Sequence, residues 1–441
     1  MCSVATDPTL LALHEAFWAC AAVSPEPKWL TERRTTAMEG FVELGLPTRR
    51  DEAWRFTDLR PLITAEGLPA PAPAAAGDPA MIAANRLPGQ AHRIVLVNGC
   101  VAPDLSEIGA LQPGVWFASV ADTIDLRPDL IKAAFDVSDM FGAQPLASLN
   151  AAFFADGFVL AVDPGVTVRH PFEILHVGDA TSRQAYHMRN VILAGAGSEA
   201  SVVETYVGTG PGWTNAVTTV DVGAGATLRH VKIQAEGTDS IHLAVSRTRL
   251  AETARYDGFA LICGARLSRQ DLQVTVAGEA ASLTINGAYL LRGEQEATFA
   301  PVVDHLTTSG QTNELLKGVL DGHAHGVFQG TIVVREGADF TAAHQLNRNL
   351  MMSRTARIDT KPELKIHADD VKCSHGATVG DLDEAALFYL LARGIDPVKA
   401  RHMLIEAFVS DVFDVAGLAP DIDAHARRYM HAWLERDGGL A

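Results

Sequence analysis

Cysteine is scarce, with five residues in a chain of 441. Cys2, Cys20, Cys100, Cys263 and Cys373 lie far apart with no CxxC pair, which excludes both a zinc knuckle and a disulfide framework. Any thiol chemistry must rest on one cysteine with non-cysteine neighbours or on a partner chain. Basic residues are outnumbered: 36 Lys+Arg against 53 Asp+Glu give a formal net charge of −17, which repels a phosphate backbone and excludes non-specific nucleic-acid binding. No apolar run is long enough to be a membrane span. The N-terminal MCSVATDPTLLALHEAFWACAAV has no basic residue ahead of its apolar stretch, and His14 and Glu15 interrupt it. It reads as neither signal peptide nor anchor, so a cytoplasmic protein is expected.

What is present is a globular balance, 48% hydrophobic and 20% charged, with a length that calls for two or three structural units. In residues 1–68, Leu10, Leu13, Phe17 and Cys20 recur at helical spacing, and Trp29 to Leu44 resumes it after Pro25 and Pro27, so a small helical domain is expected. Residues 69–92 begin with PAPAPAAAGDP and read as a Pro/Ala-rich linker. Residues 93–380 change to short β-branched runs punctuated by glycine, such as HPFEILHVG, NAVTTVDVG, LQVTVAG and GTIVV.

Within this stretch a hexad repeats as GSEASV, GAGATL, AETARY and GEAASL, placing Ala200, Ala226, Ala254 and Ala281 at intervals of 26, 28 and 27 residues. A steady interval of that size built only of strands and tight turns points to the coils of a parallel β-helix, with small residues at the corners. The four alanines are expected to stack in a line. Residues 381–441 are helical: Asp381 and Glu384 have capping-box spacing, Gly394 supplies a left-handed stop, Asp396 caps and Pro397 opens the next helix, and a third runs from about Ile422 to Leu434.

Three motifs invite chemistry. GAGSEA at Gly195–Ala200 fits the dinucleotide fingerprint, yet that fingerprint needs a helix next and SVVETYV alternates as a strand does; a β-helix corner is the better reading. His323 and His325 in DGHAHGVFQG are two apart and could grip a metal from one side of a strand, but no acidic third ligand is obvious nearby, which favours a turn or sheet edge. Cys373 and His375 in KCSHGATVG again share one face of an extended segment. A protonated imidazole lowers a nearby thiol's pKa, and a neutral one adds a second borderline ligand, suited to iron or a sulfur-carrying thiolate. Two such ligands cannot fill a metal site alone. The alternative, a buried thiol beside a structural histidine, stays open on pattern alone.

ADDVKCSHGATVG followed by LFYLLARGI, together with GLPTRRDEAWRFTDLRPL, LNAAFFADG, KGVLDGHAHGVFQG and LNRNLMMS, resembles the SufB/SufD family of iron-sulfur cluster assembly proteins over nearly the whole chain. The likeness is to its SufD branch, because SufB proteins have glutamate in place of Cys373 and Gly376. The resemblance implies a mainly β fold, a right-handed parallel β-helix core flanked by helical domains, of which the C-terminal one docks the SufC ATPase.

It also implies pairing side by side with the β-helix of SufB, and a nascent iron-sulfur cluster forming where a SufB cysteine faces a SufD histidine. That histidine corresponds to His375, with Cys373 as its motif neighbour and a candidate second ligand. The chain itself would be a non-catalytic scaffold that binds no nucleotide and could form a homodimer in isolation. Lys365 and His367 depart from the usual PELEIYADDV, and GADFTAAHQ departs from the usual Gln, Lys and Asp-rich stretch before LNRNL. Two other readings compete: a self-sufficient homodimeric SufB-like scaffold, and a carbohydrate-active β-helix enzyme. Aromatics at only 7% leave the second without its groove.

Overall fold

A computed structural model describes residue 17 and residues 26–59, 75–135, 144–179 and 183–435. Leu10, Leu13 and Cys20 of the expected first helix, and residues 69–74 of the expected linker, lie outside the described residues. The helices are α1 (Lys28–Leu44), α2 (Pro79–Asn85), α3 (Val120–Leu126), α4 (Pro128–Phe135), α5 (Pro145–Phe153), α6 (Glu384–Ala392), α7 (Pro397–Ala416) and α8 (Pro420–Glu435). α2 lies inside the segment read as linker, and α3 to α5 interrupt the segment read as strands.

The strands form a parallel β-helix of two facing sheets, one of 10 strands and one of 11. The chain changes sheet at almost every turn: Glu199–Thr209 belongs to one, Trp213–Val222 to the other, and Thr227–Gln234 returns to the first, directly beside Glu199–Thr209. Alternate residues point into the lumen, where Val202, Leu228, Ile262, Val274, Leu283, Tyr289 and Phe299 join one continuous core. The outward positions are covered too. α7 and α8 lay Ile405, Val409, Val412, Phe413, Met430 and Trp433 against Val203, Val231, Phe259, Leu261 and Val319, and the N-terminal helices cover Trp213, Ile241, Leu243 and Leu267. Strands buried on both faces read as nearly unbroken apolar runs.

One corner is a ladder of left-handed residues, one per coil: Gly197, Gly225, Thr253, Ala280, Ser309 and Phe340, with φ between 53° and 66°. Each donates its N–H to the next coil, as from Gly197 to Ala224 O at 2.8 Å and from Gly225 to Glu252 O at 2.9 Å. The ladder sets the alignment of the hexads. Ala226, Ala254 and Ala281 stack as expected, each fully buried, with Arg255 N bonded to Ala226 O and Ser282 N to Ala254 O. Ala200 does not join them. Ser198 stands above Ala226, and Ala200 pairs with Leu228. The true counterpart of GAGATL is GAGSEA, whose Gly197 occupies the left-handed corner, and a strand, Glu199–Thr209, follows it in place of a nucleotide-binding helix.

The two ends of the β-helix differ. At the first, the hairpin strand Cys100–Val101 and the strand Val115–Ser119 pair antiparallel, and Val120, Ile131 and Phe135 of α3 and α4 pack beside them. At the last, Lys372–Gly380 closes one sheet, and Arg357–Thr360 and Glu363–Ile366 close the other, with nothing beyond them in the chain's strand order.

Candidate functional site

The open end carries the Cys373 and His375 pair. Lys372–Gly380 lies parallel to Ala342–Met351, with Cys373 opposite Ala343 and His375 opposite Gln345. Ala343 and Gln345 are buried in the lumen, so the strand's period of two puts both reactive side chains on the lumen side. Cys373 is half-buried against the core, whereas His375, with no coil beyond it, is exposed. Burial pushes the Cys373 thiol up, opposed by a hydrogen bond from the Ala343 N–H. The direction is opposite to the lowering that a protonated imidazole was expected to give. On the outer side, His344 Nδ1 meets Ser374 Oγ at 2.8 Å. His367 is exposed just past Glu363–Ile366, its N–H bonded to Val334 O at 2.8 Å, so it belongs to the same end but to the opposite sheet.

The lumen behind this pair is polar in a way the sequence reading missed. One register position runs His230, Gly258, Ile285, Glu314, Gln345, His375 from coil to coil. Gln345 Nε2 donates to Glu314 Oε2 at 2.7 Å, and burial pushes the Glu314 carboxyl up to about 7. Gly258 contributes no side chain, and beside it lies a cavity of about 60 Å³ whose lining includes His230, Lys232, Ser246 and Gln270. Deeper in, Glu204 accepts from Tyr206 Oη at 2.6 Å and from His230 Nε2 at 2.7 Å. Glu236 bonds His242 Nδ1 at 2.8 Å, Thr214 Oγ1 at 2.6 Å and Gln234 Nε2 at 2.8 Å. Burial alone would raise both carboxyls, yet His176 and His230 hold Glu204, and His242 with Thr214 and Gln234 hold Glu236, below the usual range. The signal in the sequence was alternation: Gln345, Asn347 and Asn349 sit two apart and are all buried.

His323 falls in a turn and His325 in a strand. Acidic partners absent from the local sequence arrive from the adjoining coils, Asp359 Oδ2 at 2.7 Å from Nε2 and Glu296 Oε2 at 3.7 Å from Nδ1. Burial would lower the His325 pKa, but these two carboxylates raise it overall, and Arg357 holds Asp359 at 3.0 Å. This is an ion-pair strut across three coils. Among the described residues, no three His, Cys, Asp or Glu side chains gather as a metal site would require.

Residues 176–408 match the family described as SUF system FeS cluster assembly, SufBD core domain. Residues 20–174 match the SufBD protein N-terminal region. The chain belongs to the SufBD family. Among curated SufBD relatives, a SufBD family iron-sulfur cluster assembly protein of Synechocystis is 32% identical over 94% of this chain and 92% of its own. The iron-sulfur cluster assembly protein SufD of Escherichia coli is 30% identical over 87% and 89%, and the chloroplastic protein ABCI7 of Arabidopsis thaliana 30% over 93% and 87%. As a SufBD protein the chain works in iron-sulfur cluster assembly, and the SufBD core match spans most of its β-helix.

A second surface of this SufBD chain stands out. α6 buries none of its residues, and Phe388 is 72% and Tyr389 55% exposed. Leu391 beside them, with Val398 and Met403 of α7, continues the apolar surface. α6 is capped by Asp383, which accepts from Ala385 N and Ala386 N, and not by Asp381 as the capping-box spacing suggested. Asp396 caps α7 as expected. Among the described residues no helix is long and apolar enough to cross a membrane.

Proposed function

We propose that this chain is a SufD-type scaffold subunit, non-catalytic itself, that pairs with a SufB relative through the open end of its β-helix and carries a SufC-type ATPase on its C-terminal helices. The observation that carries the reading is the last coil: an unpaired strand edge presents Cys373 and His375 at the mouth of a lumen that the rest of the fold keeps closed. A thiol and an imidazole are two donors, so iron or a nascent cluster held there would need its remaining ligands from the facing chain. The nascent cluster is cargo, and no nucleotide is bound by this chain. We place the protein in the cytoplasm, where reduced thiols are available to such chemistry.

Co-expression with SufB and SufC relatives is the test. The three should co-purify with iron-sulfur absorbance, and His375→Ala should assemble equally well but lose that absorbance. A His375→Ala complex that builds clusters at the normal rate overturns the assignment of this residue. Failure of the three chains to co-purify overturns the partnership.

A further inference from the structure

Gln345 and Glu314 stand in register directly behind His375, one and two coils into the lumen. Both are buried, and the single hydrogen bond between them, Gln345 Nε2 to Glu314 Oε2 at 2.7 Å, leaves Glu314 Oε1 and Gln345 Oε1 buried without a partner. An unsatisfied buried polar atom is costly, and an aliphatic pair would fill the same space without that cost. The neighbouring coil does this, placing Ile285 at the same register position. The polar pair is therefore confined to the two coils behind the exposed imidazole. Glu314 Oε2 accepts from Gln345 Nε2, which orients the amide and makes Oε1 the acceptor left over.

A histidine that ligates metal through one ring nitrogen needs its other N–H held by an acceptor, which selects the tautomer and aims the ring. Among the described residues, His375 has no hydrogen-bond partner of its own. We infer that Gln345, oriented by Glu314, is the positioning residue for His375: its free carbonyl oxygen takes the N–H of one imidazole nitrogen and turns the other nitrogen outward to the facing chain. This rests on the reading of His375 given under Proposed function. The pair touches neither the cargo nor the partner. It acts only through the ring.

The test compares complexes co-expressed with the SufB and SufC relatives. Gln345→Met keeps length and volume but removes the acceptor, and cluster content per complex should fall about tenfold, the usual scale for removing such an outer partner. The exchange Glu314→Gln with Gln345→Glu reverses the pair, so that residue 314 donates and residue 345 again offers a free oxygen to His375; most of the cluster content should return. A purely structural role would instead show as a fall in Tm of Gln345→Met that tracks its loss of clusters. Full cluster content in Gln345→Met, or an exchanged pair that folds with wild-type Tm yet does no better than Gln345→Met, overturns the inference. Should Gln345→Met not assemble, Glu314→Leu, which frees the Gln345 amide to turn, takes its place: a several-fold loss supports the inference and wild-type content overturns it. His375→Ala, prepared alongside, separates the two ideas. Clusters lost there but kept in Gln345→Met remove only the positioning role, while clusters kept in His375→Ala remove both.

Discussion

His375 is exposed, and surface substitutions away from packed features change stability by no more than about 0.5 kcal/mol. In the isolated chain, where Gln345 Oε1 already lacks a partner, His375→Ala should therefore leave Tm unchanged, whereas a buried structural histidine would cost about 1–3 kcal/mol for each partner left unpaired. Cys373 is half-buried with its thiol pushed up, so Cys373→Ala should reduce cluster content less than His375→Ala does. Glu314 makes a separate, pH-dependent prediction. Its folded pKa of about 7 lies above the ordinary glutamate value of 4.5, so the fold binds that proton more tightly than the unfolded chain does. The buried carboxyl then costs stability progressively as pH rises from about 4.5 to about 7 and keeps that cost above it. Glu314→Gln should be more stable than wild type at pH 8, by on the order of 3 kcal/mol, with the gap closing toward pH 4.5. Thermal unfolding at several pH values checks this, and a constant gap would contradict it.

Among the helices, α6 offers the cleanest test of ATPase docking. Cutting the chain after Gly380 would also strip α7 and α8 from Val203, Val231, Phe259 and Leu261, exposing a sheet face that the protein keeps covered. Phe388→Asp changes only an exposed position, 72% open. Expected is a wild-type Tm with loss of SufC-relative binding in pull-down, and retained binding would move the docking site elsewhere. The corner ladder makes another prediction. Ala280 holds φ at 54°, a conformation disfavoured for any residue with a Cβ, so Ala280→Gly should raise stability by up to about 1 kcal/mol, read as a higher Tm.

These same elements separate what was readable from what was not. The hexads revealed the coils because corners need small or left-handed residues. They misplaced Ala200 because a slip of two residues keeps every side chain on its face and so leaves no trace in the pattern. α3 to α5 went unread amid strands although Ser119 caps α3, accepting from Asp122 N, and Pro145 opens α5. Asp381 and Asp383 are equally good caps on paper, and only the geometry chose Asp383.

Across the molecule, packing on the outside of the β-helix depends on a few long-range ties. Lys317 Nζ reaches Asp411 Oδ2 at 2.6 Å and the Phe408 carbonyl at 2.7 Å, fixing α7 to the sheet, and Lys361 Nζ reaches Glu52 Oε1 at 2.6 Å, fixing the N-terminal segment near the open end. The lumen pairs were beyond sequence reading for a simple reason. Glu314 and Gln345 are 31 residues apart, three more than the longest interval between the hexads, so the repeat read from the sequence does not align them. The Cys373 and His375 motif was readable because it is contiguous. The partners that aim it are not.

The unequal ends of the β-helix have a consequence for assembly. A rod with two sticky ends grows without limit, as fibres do. Here the antiparallel strand Val115–Ser119 and the hairpin at Cys100–Val101 stop one end, leaving a valence of one. Whatever chain meets the last coil, a relative or a second copy, the union ends the series, and sedimentation should show pairs at most concentrations but no ladder of higher species. Deleting the hairpin strand would restore the second sticky end and with it the hazard of filaments. In this sense the blunt end matters to assembly as much as the open one, because it ensures that each mouth faces a single neighbour.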